Sequence, residues 1–208
     1  MRRSRPRKPV AKQRGSYHHG DLPRAMLQEA VRTIQTHGTA ALTLRGVGER
    51  LGVSRTALYR HFADKQALLA AVAAEGFRTL RAALVQAWET GGHGREGLDA
   101  MGVAYVRFAV THPSHYRVMF GGVVRPGDRS REVGDPGTDA FQVLVDAIVE
   151  QQQTGVVRGD EPRQLALYVW AVVHGVAMLA LDGMLPPQLP PDALIEFANN
   201  RLRTGIAP

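Results

Sequence analysis

The stretch Thr43-Leu-Arg-Gly-Val-Gly-Glu-Arg-Leu-Gly-Val-Ser-Arg-Thr-Ala-Leu-Tyr-Arg-His-Phe62 decides the fold. Leu44, Val47 and Leu51 recur at three- and four-residue spacing, and Gly52 stops that run. Ser54 opens a second short run in which Leu58 and Phe62 share a face. The spacing predicts two short helices joined by Gly52-Val53-Ser54, the second over about residues 54–62. This is the pattern of a helix-turn-helix: each helix hides an apolar face, the glycine turn sets the crossing, and the second helix keeps one face outward. At about 100° per residue, Leu58 and Phe62 point inward and Thr56 and Arg60 outward, with Ala57 and Tyr59 on the flanks.

Working outward, Leu22, Met26, Leu27, Ala30, Val31 and Ile34 predict a helix from Leu22 to His37, with Gly38 as its stop. Asp64 caps the next helix, whose rows Leu68, Val72, Leu80, Leu84 and Leu69, Ala73, Phe77 carry it to about Trp88. Beyond the break at Gly91-Gly-His-Gly94, helices are expected at about 95–111, 113–120, 138–154, 161–182 and 192–204. No segment alternates with period two for long enough to make a sheet, and no internal repeat is visible. The expected fold is all-α with about nine helices. It divides into a basic arm (1–16), a three-helix unit (17–65, reading helix about 54–62), a connecting helix (66–90) and a C-terminal helical domain (91–208). Gly121 to Gly137, rich in Gly, Pro and charge, reads as a long mobile loop.

The 208 residues are 44% hydrophobic and 22% charged, which excludes a disordered tail and leaves room for a sizeable core. The formal net charge of +7 sits in one place: Arg2, Arg3, Arg5, Arg7, Lys8, Lys12 and Arg14 stand among the first fourteen residues without an acid. The remainder is neutral, with an excess of three positive charges over 15–65 and three negative charges over 66–208. With no cysteine, disulfides, thiolate nucleophiles and thiolate metal sites are removed together. Tyr17-His-His-Gly-Asp stands where a signal peptide would need an apolar run, so a cytoplasmic protein is expected. Leu165 to Leu181 reaches the lower length limit for a membrane span, but Asp160, Glu161, Arg163 and Asp182 crowd its ends; a helix buried all round, with no membrane partner, is expected.

The second short helix presents a polar, cationic face with almost no acid. An ordinary solvated face would look similar. Against that stand Tyr59, outward with no core to fill, and the seven-charge arm just upstream. The arm by itself could be a solubilising tail; beside a helix-turn-helix it suits phosphates or a minor groove. DNA is the favoured partner.

Tyr59-Arg-His-Phe62, followed by Asp64-Lys65-x-Ala-Leu-Leu69 and preceded by Leu51-Gly-Val-Ser54, resembles the DNA-binding domain of TetR-type bacterial transcriptional regulators over about Tyr17 to Thr79. The lead-in Tyr17-His-His-Gly-Asp-Leu22, with His112-Pro-x-x-Tyr116 and Trp170-x-x-x-His-Gly175, is similar to the subgroup with a Trp-His-Gly signature. The resemblance implies that Arg45, Arg55 and Thr56 reach base edges while Thr43, Tyr59, His61 and Lys65 hold phosphates; Ser54 and Arg60 complete the expected surface. Arg suits guanine O6 and N7 through two bonds, and a helix N-terminus suits a phosphate. Ala57 and Gly48 depart from the common pattern, which has Thr or Ser and Ala there. Gly48 costs about 1 kcal/mol of helix propensity unless a close backbone approach needs it.

The resemblance also implies a homodimer closed by the last two long helices. Trp170, His174, Gly175 and Met178 are read as the face toward a two-fold mate. A small-molecule effector is expected among Met101, Tyr105, Phe108, Tyr116, Met119, Phe120, Phe141 and Leu144, with Arg107 or Arg117 available to a charged one, although any single member is as readily plain core. No cofactor is expected. His18-His19 lacks a third ligand at metal spacing, Gly46-x-Gly48 with Gly52 lacks the strand of a dinucleotide site, and no catalytic constellation is visible, so neither a metal site nor an enzyme is expected. The expected function is a ligand-responsive regulator, in the main a repressor, released from a near-palindromic operator by its effector; an effector-independent architectural DNA binder is the alternative.

Overall fold

The computed structural model describes residues 21–124 and 135–206. The basic arm, the Tyr17 to Gly20 lead-in with its two histidines, and most of the glycine-rich loop lie outside the described residues.

Among the described residues the chain is all-helical: α1 Leu22–His37, α2 Leu44–Leu51, α3 Arg55–Tyr59, α4 Lys65–Thr90, α5 Gly94–Thr111, α6 Pro113–Phe120, α7 Pro136–Gln153, α8 Pro162–Leu181 and α9 Pro191–Ile206. The starts follow from capping chemistry. Thr43, Ser54, Asp64 and Asp135 each accept a backbone N–H in the first turn of the following helix, and Glu161 accepts two. Pro113, Pro136 and Pro162 stand in first turns, where a missing N–H costs nothing. Gly38 and Gly52 take positive φ just past α1 and α2, as helix stops that favour glycine do.

The reading helix is shorter than its apolar pattern suggests. Regular α-geometry ends at Tyr59; the N–H groups of both His61 and Phe62 then converge on the Leu58 carbonyl, at 3.0 and 3.1 Å. That tightened turn brings Phe62 onto the core and frees Asp64 to cap α4.

At 26 residues α4 spans about 39 Å and is the spine of the molecule. It packs against α1 near its start and against α5, α6 and α7 along its length, while α8 lies on α5, α7 and α9. One apolar core runs along it from Met26, Leu44, Val47 and Leu58, through Leu68, Val72 and Leu80, to Met101 and Tyr116. A smaller cluster around Ile148, Leu165 and Ile206 closes the end of the α7–α8 hairpin.

Candidate nucleic-acid interface and apolar cavity

The reading head is built on a buried charge. Glu29 of α1 is 8% exposed, and its carboxylate takes Arg50 of α2 at 2.8 Å and Arg32 at 3.0 Å; Arg50 also donates to the Thr33 hydroxyl at 3.0 Å. A carboxylate removed from water needs such partners, so α2 is held to α1 by an ion pair as well as by Leu44 and Val47. α3 approaches α2 where no side chain intervenes. A Cβ on Gly48 would lie 2.4 Å from Leu58 Cδ1, which explains glycine there despite its low helix propensity.

This packing turns Thr43, Arg45, Ser54, Arg55, Thr56, Tyr59, Arg60 and His61 to the surface, with Tyr59 56% exposed. Thr43 and Ser54 spend an oxygen lone pair each on capping, accepting from Gly46 and Ala57 N–H, which leaves their hydroxyl hydrogens to donate outward. Arg45 is held by Glu49 on the next turn, Nε to Oε1 at 2.7 Å. Lys65, half-buried at the start of α4, reaches back to the Ala40 carbonyl at 3.3 Å and ties α4 to the α1–α2 loop. Of the nine residues expected to contact DNA, eight are therefore exposed on or beside α2 and α3, and Lys65 is half-buried at the start of α4.

A cavity of about 380 Å³ opens between α4, α5, α7 and α8. Phe77, Leu80 and Leu84 of α4 form one wall. Tyr105, Phe120 and Trp170 close its inner end, Phe120 standing edge-on to Phe77 with ring centroids 5.4 Å apart. Beneath lies a polar knot: the Trp170 indole N–H donates to the Tyr105 hydroxyl at 2.9 Å, and the Tyr105 and Tyr116 hydroxyls meet His174 Nδ1 at 3.0 and 2.7 Å. Burial pushes the Tyr105 phenol up to about 12, raises Tyr116 further and lowers His174, so all three are neutral near pH 7.

The N-terminal segment 26–72 matches the family model of bacterial regulatory proteins of the tetR family, and 98–202 matches that of the tetracyclin repressor-like C-terminal domain. The chain belongs to the TetR family of bacterial transcriptional regulators. Among relatives, the HTH-type transcriptional repressor Rv1474c of Mycobacterium tuberculosis is 28% identical over 187 residues, covering 86% of this chain and 92% of that protein. A protein of unknown function from Rhodococcus sp. RHA1 superposes with a TM-score of 0.80 at 33% identity, covering 93% of this chain and all of that one. A tetR-family regulatory protein from Rhodococcus RHA1, 18% identical, shares the fold with a TM-score of 0.70, over 89% and 96% of the two chains. As a TetR-family regulator the protein binds DNA through its helix-turn-helix.

Within this TetR framework the expected pocket residues divide. Met101, Tyr105, Phe120, Phe141 and Leu144 line the cavity; Phe108, Tyr116 and Met119 are buried in the core beside it. Neither Arg107 nor Arg117 lines it, and Arg117 instead donates to the Leu181 carbonyl at the end of α8. The cation at the cavity is Arg163. Its signal was present in the sequence as a cation in a helix first turn, where the dipole disfavours one.

Of the α8 residues expected at a dimer face, Trp170 lines the cavity and His174 bonds to the two tyrosines, each partly buried within the chain. Gly175 lies about a third of a turn from them and Met178 about a sixth; with Tyr168, Ala171 and Leu179 they form the flank of α8 on which all but the half-buried Gly175 are exposed. An almost uniformly apolar helix has no polar flank to mark its outside, so periodicity alone does not assign its faces.

Proposed function

We propose that the protein is a homodimeric transcriptional repressor that reads a near-palindromic double-stranded DNA operator and releases it when a small molecule occupies the cavity. The observation that carries this reading is the course of α4. Its first residue, Lys65, is part of the DNA-facing surface, and Phe77, Leu80 and Leu84, three to five turns on, are the cavity wall. A ligand that prefers one placement of α4 by a few kcal/mol shifts the reading heads correspondingly.

In this reading Arg45, Arg55 and Thr56 reach base edges, and Thr43, Tyr59, His61 and Lys65 hold phosphates, with Ser54 and Arg60 between them. Residues 17–65 form the DNA-binding unit, 66–90 the connecting helix and 91–208 the ligand and dimer domain. The arm at 1–16 adds salt-sensitive affinity, and the protein works in the cytoplasm, where its operator is.

A second copy is supported by the outer face of α8 and α9. Tyr168 is 50% exposed and Phe197 57%, beside exposed Met178 and Leu179. Gly175 has open space where a Cβ would stand, so nothing within one chain requires a glycine there; in this reading the glycine admits the close approach of a two-fold mate.

Footprinting on selected genomic fragments tests the reading. The expected result is a symmetric footprint that Arg55→Ala loses on the operator but not on random DNA, while His61→Ala weakens both alike. A footprint that no ligand displaces would instead favour an effector-independent architectural protein.

A further inference from the structure

Two charged side chains line the cavity, Asp135 and Arg163, and the protein uses them differently. Asp135 is committed to its own helix. Its Oδ1 accepts the Gly137 N–H and its Oδ2 the Thr138 hydroxyl, both at 3.0 Å, and its charge sits at the positive end of α7. Arg163 has no such compensation. Its guanidinium donates to Gln142 Oε1 at 3.4 Å and lies over the Phe141 ring, 5.6 Å from the centroid. Among the described residues it forms no ion pair. It also stands in the first turn of α8, against the helix dipole, where Glu161 already serves the free N–H groups.

The other end of the cavity makes no polar demand. The Tyr105 hydroxyl is occupied by Trp170, Tyr116 and His174, so toward a ligand Tyr105, Phe120 and Trp170 present ring surface. Arg163 and Trp170 lie seven residues apart on α8, about 10 Å along the helix, with Phe141 touching both. At about 30 Å³ per water-sized group, 380 Å³ holds about a dozen non-hydrogen atoms.

We propose that the effector is an amphipathic monocarboxylate of about a dozen non-hydrogen atoms, a medium-chain fatty or aryl-alkanoic acid. Its carboxylate takes two bonds from the Arg163 guanidinium at the mouth, and its apolar body ends on Trp170 and Phe120. This assignment rests on the cavity being the effector site.

The test uses the full-length protein with decanoate, decan-1-ol and decylamine as probes, read by the fluorescence of Trp170 with Trp88 as a reference outside the cavity. Decanoate is expected to shift Trp170 emission saturably and to bind at least about tenfold more tightly than the alcohol or the amine. Arg163→Gln is expected to abolish that preference while leaving decanol binding unchanged, and Arg163→Lys to restore part of it. Because Arg163 is exposed, the variants should unfold at the wild-type temperature without ligand, which separates a lost site from a lost fold. Equal binding of decanoate and decanol to the wild type, or an undiminished preference in Arg163→Gln, overturns the carboxylate assignment and leaves the effector cavity standing. No saturable binding of any probe overturns both.

Discussion

The indole N–H of Trp170 donates to the phenolic oxygen of Tyr105 across 2.9 Å, joining α8 to α5 at the inner wall of the cavity. The same oxygen lies 3.1 Å from the Tyr116 hydroxyl and 3.0 Å from His174 Nδ1. A neutral imidazole can offer Nδ1 as an acceptor, so the knot needs no charge to be satisfied. Four side chains from three helices thus meet at Tyr105.

Tyr105→Phe removes that oxygen and leaves the Trp170 N–H without its acceptor. The expected cost is about 1–3 kcal/mol, measured by urea unfolding, with a shifted Trp170 emission. A loss below about 0.5 kcal/mol would mean that another acceptor serves the indole just as well.

Gly48→Ala places a methyl carbon 2.4 Å from Leu58 Cδ1. Overpacking there should cost about 1–3 kcal/mol and displace α3, lowering affinity for operator DNA more than helix propensity alone would predict. A second change, Leu58→Val, should recover part of the loss in a double-mutant cycle. Strict additivity of the two would deny that they act through this contact.

Arg50→Ala leaves the buried Glu29 carboxylate with only Arg32 and removes the bond that Arg50 donates to the Thr33 hydroxyl. We expect a loss of about 1–3 kcal/mol, below the full value for a buried pair because Arg50 is itself partly exposed. Amide exchange should accelerate over α2 rather than over α7. Uniform acceleration through the whole chain would contradict a local role.

His93, held by Glu150 at 2.8 Å and Glu89 at 3.3 Å, fastens the α4–α5 turn to α7. These hydrogen bonds, Glu150 first, raise its pKa above the ordinary 6.5. The protonated form is therefore favoured by folding. Its stabilisation is fully present below about pH 6.5 and fades as pH rises through the higher folded-state value. His93 stands at φ 62° and ψ −168°, where any non-glycine residue is strained, so His93→Asn keeps that strain and isolates the loss of the imidazole. The melting-temperature gap between wild type and variant should be widest near pH 6 and narrow by about pH 8.5. A gap that widens with pH would reverse the assignment.

Gly175→Leu fills space that is empty within one chain. It should leave helicity unchanged and shift the protein toward monomer in sedimentation, with loss of the symmetric footprint. An unchanged dimer would place the interface elsewhere.

Most of the helical layout was legible along the chain because its signals are local. Asp64 and Ser54 cap, Gly38 and Gly52 stop, and Leu44, Val47 and Leu58 repeat at helical spacing, so α1 and α2 stand where their patterns put them. Even α3, which ends three residues early, keeps Leu58 and Phe62 on the core side. The outward face of α3 was equally legible, since a short amphipathic helix hides one face and shows the other.

The cavity was legible only in part. Met101, Phe120 and Phe141 line it, yet Tyr116 and Phe108, with the same chemistry at similar spacing, are core. What separates them is how far apart α4, α5, α7 and α8 stand, which no single helix encodes. The packing of α8 is likewise set by its neighbours. By itself the sequence determined which segments are helices, where they start and stop, and that a cationic face stands at α3. Only the tertiary structure decided that Trp170 and His174 bond with Tyr105, that Tyr168 and Leu179 stay exposed, and that Arg163 lines the cavity. Capping and periodicity act over one or two turns, whereas the buried side of an apolar helix is chosen by the neighbours that pack against it.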